Sequence, residues 1–221
     1  MIEKLDGGLG KLGLDFSDRQ KEMLETYIAD ILECNRTYNL MKADSEDELA
    51  VSHILDSLAA VPHLKTIVEK IKTETGRKCL EIGDIGSGGG CPGIPLAVAF
   101  PEEHFTLVER MERRCIFLTE TIAHLGLDNV EILCLQADSV PKSSFDVEVF
   151  RAFHPFDKKI AKLLLGMCRK GGAIAAYKAR SEKIQAEMDA VSFAIPDYEK
   201  IPLEVPFLED HERNLVVVWK K

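Results

Sequence analysis

Long apolar runs, clustered metal-binding side chains and an excess of positive charge are all missing from this chain, and each absence removes a class of protein. No stretch of the sequence approaches the ~18 consecutive apolar residues that a membrane-spanning helix needs. The opening residues, MIEKLDGGLGKLGLDF, lack the apolar core of a secretion signal. The chain is therefore expected in the cytoplasm, without a membrane partner. Six cysteines (Cys34, Cys79, Cys91, Cys115, Cys134 and Cys168) form no C-x-x-C pair and have no paired histidines beside them. That argues against a zinc site, any other metal centre and a disulfide scaffold. They are expected as reduced, mostly buried thiols. A net charge of −9 points away from nucleic acid, because phosphate contacts normally dominate such affinity. It leaves room only for a local basic face.

What is present reads as one folded α/β chain. Apolar residues make up 46% of the 221 and charged residues 29%, enough to bury a sizeable core. Ser17 and Gln20 form a capping-box pattern, with Met23, Leu24, Tyr27, Ile28, Ile31 and Leu32 at helical spacing. A helix is expected over 17–40. A second is expected from Ser45 to Pro62, then a polar stretch over 63–78 with a short helix and a loop near Gly76. From Cys79 the texture changes to strands alternating with helices. Strands are expected at 79–85, 104–109, 130–136, 145–150 and 171–178, with helices at 94–100, 112–125, 157–169 and 181–191. Two more strands, near 200–205 and 214–219, suggest an antiparallel hairpin closing one edge. The expectation is a Rossmann-like fold: a mostly parallel seven-stranded sheet. Residues 1–78 form a helical portion packed on a core of 79–221, and the chain is expected as a monomer.

The most informative segment is Asp84-Ile85-Gly86-Ser87-Gly88-Gly89-Gly90-Cys91-Pro92-Gly93. Glycines after a strand let backbone approach a ligand closely, and the following helix offers free N–H groups. Gly86, Gly88 and Gly90 give G-x-G-x-G behind an acid, whereas Gly88, Gly90 and Gly93 give the dinucleotide pattern G-x-G-x-x-G. Glu109 ends the second strand, where an acid accepts from ribose hydroxyls of either cofactor. Three features lean towards S-adenosyl-L-methionine. Asp84 stands where a carboxylate meets a methionine ammonium, Pro92 stiffens the entry to the helix, and Asp138 follows the third strand within reach of an adenine amino group. The fold expected is thus the class I S-adenosylmethionine-dependent methyltransferase form.

Several blocks together resemble the bacterial small-subunit ribosomal RNA methyltransferase G family, also called glucose-inhibited division protein B. They are NRTYNL (35–40), HILDSLA (53–59), DIGSGGGCPGIPLA (84–97), FTLVE (105–109), RRCIFL (113–118), FRAF (150–153), YK (177–178) and the final NLVVV. The resemblance implies methylation of a guanine at N7 in 16S ribosomal RNA, free or in the 30S particle. It also implies cofactor contacts at Gly86, Cys91, Ala137, Asp138 and Arg151, with Glu109 on the ribose and Gly88 in the same turn. The chain departs from the family at Cys91, where a bulky apolar residue is usual, and at Ser52 and Gln136, where arginine is common.

N7 of guanine carries a lone pair and no proton, so no general base is expected and positioning does the work. Arg151 suits a cofactor carboxylate or an RNA phosphate, and Lys178 is a second possible substrate contact. Tyr177 suits base stacking or the core equally. His53, Asp56 and Ser57 share a helical face and are read as packing over the glycine turn. Arg110, Arg113 and Arg114 form a basic cluster. The rivals are an NAD-dependent oxidoreductase, a methyltransferase acting on another RNA, a protein or a small molecule, and a non-catalytic ribosome-binding module.

Overall fold

Leu5 and Leu9 form the buried face of α1 (Glu3–Lys11) in the computed structural model, which describes residues 2–221. This helix was not foreshadowed, because Gly7, Gly8 and Gly10 lower helix propensity; the Leu55 side chain packs against Gly8. The capping box at Ser17 and Gln20 opens α2 (Asp18–Asn35), as expected. The helix then stops short of residue 40. The Asn35 side chain accepts from Leu40 N at 2.9 Å and Met41 N at 3.2 Å, and donates to the Met41 carbonyl at 2.8 Å. Those bonds offer the backbone a loop in place of another helical turn.

The helix expected from Ser45 to Pro62 is broken into pieces. A short α3 (Glu46–Leu49), capped by Ser45, runs into a π-helical segment, Ala50–Leu55, and then into α4 (Asp56–Leu58). Pro62 does not end a helix. It lies in the first turn of α5 (Val61–Thr75), where a missing N–H costs nothing. Buried Leu64, Ile67, Val68 and Ile71 carry α5 through sequence that looked polar, and Gly76 at φ 72° terminates it.

Strands and helices then alternate: β1 (Glu81–Ile85), α6 (Gly93–Ala99), β2 (His104–Glu109), α7 (Glu112–Leu125), β3 (Val130–Cys134), β4 (Phe145–Arg151), α8 (Lys158–Met167), β5 (Cys168–Lys178), α9 (Ser181–Val191), β6 (Glu199–Pro202) and β7 (Asn214–Trp219). Among the described residues the seven strands form one sheet, ordered β3-β2-β1-β4-β5-β7-β6. Neighbouring pairs among β1–β5 are parallel, while β7 runs antiparallel to both β5 and β6. One apolar cluster joins Leu5, Leu24, Leu58 and Ile71 to Leu107, Ala175 and Val217, so the N-terminal helices share a core with one sheet face. A second cluster, with Phe150, Leu164, Ile174 and Val216, fills the other face.

The cysteines correct the expectation of six reduced thiols. Cys115 and Cys134 are joined as a disulfide, their Cα atoms 5.9 Å apart. They lie 19 positions apart in sequence, and β2–β3 pairing brings the end of β3 beside the start of α7. Cys79 is exposed and Cys34 half-buried; Cys91 and Cys168 are buried.

Glu148, in the middle of β4, is fully buried. Neither carboxyl oxygen finds a hydrogen-bond partner among the described residues. Burial holds its pKa well above the ordinary 4.5, so the folded chain binds this proton more tightly than the unfolded one. Stability from this group is full below about pH 4.5 and is lost as pH rises towards the folded pKa. Glu148→Met is expected to stabilise the chain at pH 8 by about 1–3 kcal/mol, seen in thermal unfolding as roughly 2–4 °C in Tm per kcal/mol. The gain should shrink at pH 4; an equal gain at both pH values would contradict a neutral buried acid.

Candidate active site

Where β1 ends, the chain must turn sharply above its neighbours, and glycine makes that possible. Gly86, Gly88 and Gly90 take φ values of 74°, 63° and 104°, all in the region that side-chain-bearing residues avoid. Gly86 N and Ser87 N donate to the Val108 carbonyl of β2 at 2.8 and 3.1 Å, which seats the turn over the sheet edge. The helix N–H at Gly93, which the sequence offered to a ligand, is taken by Asp84 Oδ2 at 2.9 Å; Ser87 Oγ donates to the same oxygen at 2.7 Å. Asp84 Oδ1 is buried without a partner among the described residues. Burial raises the Asp84 pKa to about 6, against the lowering effects of Ser87 and Gly93.

Beside the turn lies a cleft of ≈ 470 Å³, lined among others by Gly86, Glu109, Ala137, Asp138, Phe153 and Lys159. Four expected positions therefore meet in one cavity. Glu109 is 4% exposed and spans the floor. Its Oε2 accepts from Gly88 N at 2.9 Å, and its Oε1 from Arg110 N and Met111 N, both at 2.8 Å. Arg114 stands 3.6 Å from it. The turn and the acid after β2 are thus one hydrogen-bonded unit. Ala137 and Asp138 sit in a single 3-10 turn that follows β3.

The other expected residues sit apart from this cavity. Arg151 Nη1 donates to Asp56 Oδ2 at 2.7 Å and to the Ser52 carbonyl at 3.1 Å, and its Nη2 lies 2.8 Å from His53 Nδ1. Arginine can only donate, so His53 Nδ1 accepts and His53 Nε2 donates to the Lys42 carbonyl at 3.2 Å. Burial, then the Arg151 charge, lowers the His53 pKa, in keeping with a neutral ring. His53 and Asp56 are thus tied to Arg151 rather than to the turn, and Ser57 Oγ donates to the His53 carbonyl at 2.6 Å. Cys91 is buried beneath the turn, 3.4 Å from the Tyr27 hydroxyl. Lys178 pairs with Glu187 at 2.6 Å and reaches the His154 carbonyl at 3.3 Å, tying down the loop after β4. Tyr177 takes the core role: it is buried and donates to the Ser57 carbonyl at 2.7 Å.

Two residues escaped the sequence reading. Tyr27 looked like one apolar position of a helix, yet its hydroxyl donates to the Gly89 carbonyl at 2.6 Å. Phe153 lies inside the FRAF block, and its ring packs directly on Gly86. Ala152 before it has φ 54°, a conformation that the surrounding contacts must hold against strain.

A glycine turn seated on β2, an acid closing β2, a turn after β3 beside the same cleft and an antiparallel β7 inserted between β5 and β6 define a class I S-adenosylmethionine-dependent methyltransferase. Solved structures share this fold at low identity. The tRNA (m1A58) methyltransferase TrmI from Aquifex aeolicus matches with a TM-score of 0.54 and 14% identity, over 76% of this chain and 68% of that one. TYW2 from P. horikoshii, solved in complex with MeSAdo, gives 0.51 and 16%, over 72% and 63%. A family model described as rRNA small subunit methyltransferase G matches residues 20–216. Proteins named ribosomal RNA small subunit methyltransferase G are similar along their length. That of Treponema denticola is 34% identical over 96% of this chain and 92% of its own. That of Klebsiella pneumoniae is 33% identical over 100% and 99%. The chain belongs to the rRNA small subunit methyltransferase G family.

A side chain at Gly86 would overlap the Phe153 ring and be forced to positive φ. Gly86→Ala is expected to lose about 1–3 kcal/mol in denaturant unfolding. An unchanged midpoint and slope would show that the Phe153 ring does not constrain the turn.

Proposed function

We propose that this chain methylates N7 of a guanine in 16S ribosomal RNA, free or within the 30S particle, using S-adenosyl-L-methionine, and that it works as a monomer in the cytoplasm. The observation that carries the reading is the family match over 20–216, which spans every element lining the cleft. Among the described residues no helix is long and apolar enough to cross a membrane, and no group of three His, Cys, Asp or Glu side chains could hold a metal ion.

Asp84 is fully buried and is not among the residues lining the cleft; its Oδ1 has no donor among the described residues, and an ammonium group reaching it would supply one. Glu109 on the cleft wall is the acid that meets the ribose, and the Ala137–Asp138 turn brackets an adenine. Gly86 and Gly88 let the ligand lie against backbone, and Cys91 packs beneath them. Bound there, the cofactor contributes an electrophilic methyl group on a sulfonium. The chain's own task is positioning and water exclusion, which can be worth roughly 7–11 kcal/mol of a bimolecular barrier. N7 needs no base, and this agrees with Arg151, His53 and Lys178 all being engaged as struts. Arg151 and Lys178 then act on cofactor and substrate by holding the turn and the loop after β4. The target base must be unstacked to reach the cleft. Arg110 and Lys159 on the cleft wall give an acidic chain the local positive charge that phosphate contact needs.

An Asp84 pKa of about 6 lies above the ordinary 3.8, so the free protein takes up this proton as pH falls through 6. An ammonium ligand favours the ionised acid. Cofactor affinity is therefore expected to weaken as pH drops from 7 to 5, by up to about tenfold per unit. Calorimetric titration of wild type and Asp84→Asn tests this: the mutant should bind weakly at every pH, without that slope.

Deletion of the gene should remove one N7-methylguanine from 16S RNA, read at nucleotide resolution. Purified enzyme with labelled donor should restore it on 30S particles from the deletion strain. An unaltered 16S pattern, or transfer to protein or small molecules instead, would overturn the reading.

A further inference from the structure

We infer that Cys115 and Cys134 form a reversible thiol-oxidation site that sets how tightly the cleft holds its cofactor. The inference rests on the reading of that cleft as the cofactor site. Cys134 is the last residue of β3 and is paired in register with Glu109. The next residues, Leu135 to Asp138, line the cleft. Cys115 sits near the start of α7, and its Sγ lies 3.4 Å from the Glu109 carbonyl. The sulfur bridge thus ties together the two segments that flank the cavity, one from β2 and one from β3.

Geometry and access suit oxidation. A Cα separation of 5.9 Å is within disulfide reach. Cys134 is exposed and Cys115 is 6% exposed, so one thiol meets the oxidant and the other resolves it. With hydrogen peroxide, the Cys134 thiolate attacks one oxygen, the O–O bond breaks, and the hydroxide released takes up the thiol's proton as water, leaving a sulfenic acid. Cys115 sulfur then attacks the Cys134 sulfur, breaking the S–O bond and expelling a second water as the disulfide forms. Two thiols lose two electrons in all, and peroxide gains them. In the cytoplasm proposed for this chain such pairs are transient and redox-sensing. Among the described residues β3 is an edge strand, paired only with β2. Without the bridge, its end and the 135–138 turn are anchored from one side.

The oxidised chain is therefore preorganised for the ligand, and reduction should weaken binding by about three- to tenfold through the cost of ordering that turn. The test uses full-length protein, either reduced and desalted or treated with stoichiometric peroxide, titrated calorimetrically with S-adenosylhomocysteine. Thiols are counted after denaturation, and linked peptides are mapped. Support consists of six thiols falling to four, a Cys115–Cys134 peptide, tighter binding after oxidation, and Cys134→Ser binding equally in both conditions. Six thiols after peroxide, a linkage to another cysteine, or wild-type affinity that is unchanged or weaker after oxidation overturns the inference. Absence of affinity in both states, with the linked peptide present, overturns the cofactor reading itself and this inference with it.

Discussion

One buried carboxylate organises the site. Asp56, 4% exposed, accepts from Arg151 at 2.7 Å and from Arg213 at 2.8 Å. Three distant parts of the chain meet there: the helical N-terminal portion, the end of β4 and the loop before β7. Removing the acid would leave two partly buried cations facing each other, and breaking such pairs typically costs about 3–5 kcal/mol. Arg151, fixed by Asp56, turns its remaining donors to His53 and the Ser52 carbonyl. His53 in turn holds the Lys42 carbonyl, and the Met41 side chain beside it lies against Gly89. A continuous set of contacts runs from the ion pair to the glycine turn, so the N-terminal helices are part of the site.

That arrangement holds Arg151 in bonds to both Asp56 and His53. A reaction needing proton abstraction would require a free base; attack by a lone pair already available needs only alignment and a dry cavity. The π-helical segment that carries Ser52 and His53 fits a local demand of this kind, since a widened turn re-aims side chains at functional sites. The strain at Ala152, which lines the cavity, and the buried Asp84 oxygen without a partner among the described residues are further local costs.

The fold core was legible because its signals are local. β2, α7, α9 and β7 fall on the expected residues, since alternation, helical spacing and a terminating glycine all act within a few positions. The grouping of Gly86, Glu109, Ala137 and Asp138 was legible for a related reason. Each follows a parallel strand, and parallel strands deliver their C-terminal ends to one sheet edge. The second helical portion was harder. Asn35 ends α2 by bonding to residues five and six positions ahead, and Pro62 begins a helix that its type alone suggested it would end.

By itself, the residue order determined the alternating layers, the turn after β1 and the acid that faces it, because each depends on neighbours in the chain. Only the tertiary structure decided that Arg151 would face Asp56, that Arg213 would join it, that Tyr27 would brace the glycine turn and that Cys115 would meet Cys134. Those pairings depend on which strands lie side by side and how helices cross them. Such contacts join residues 19 to 157 positions apart, and no periodicity in a single sequence encodes their distance.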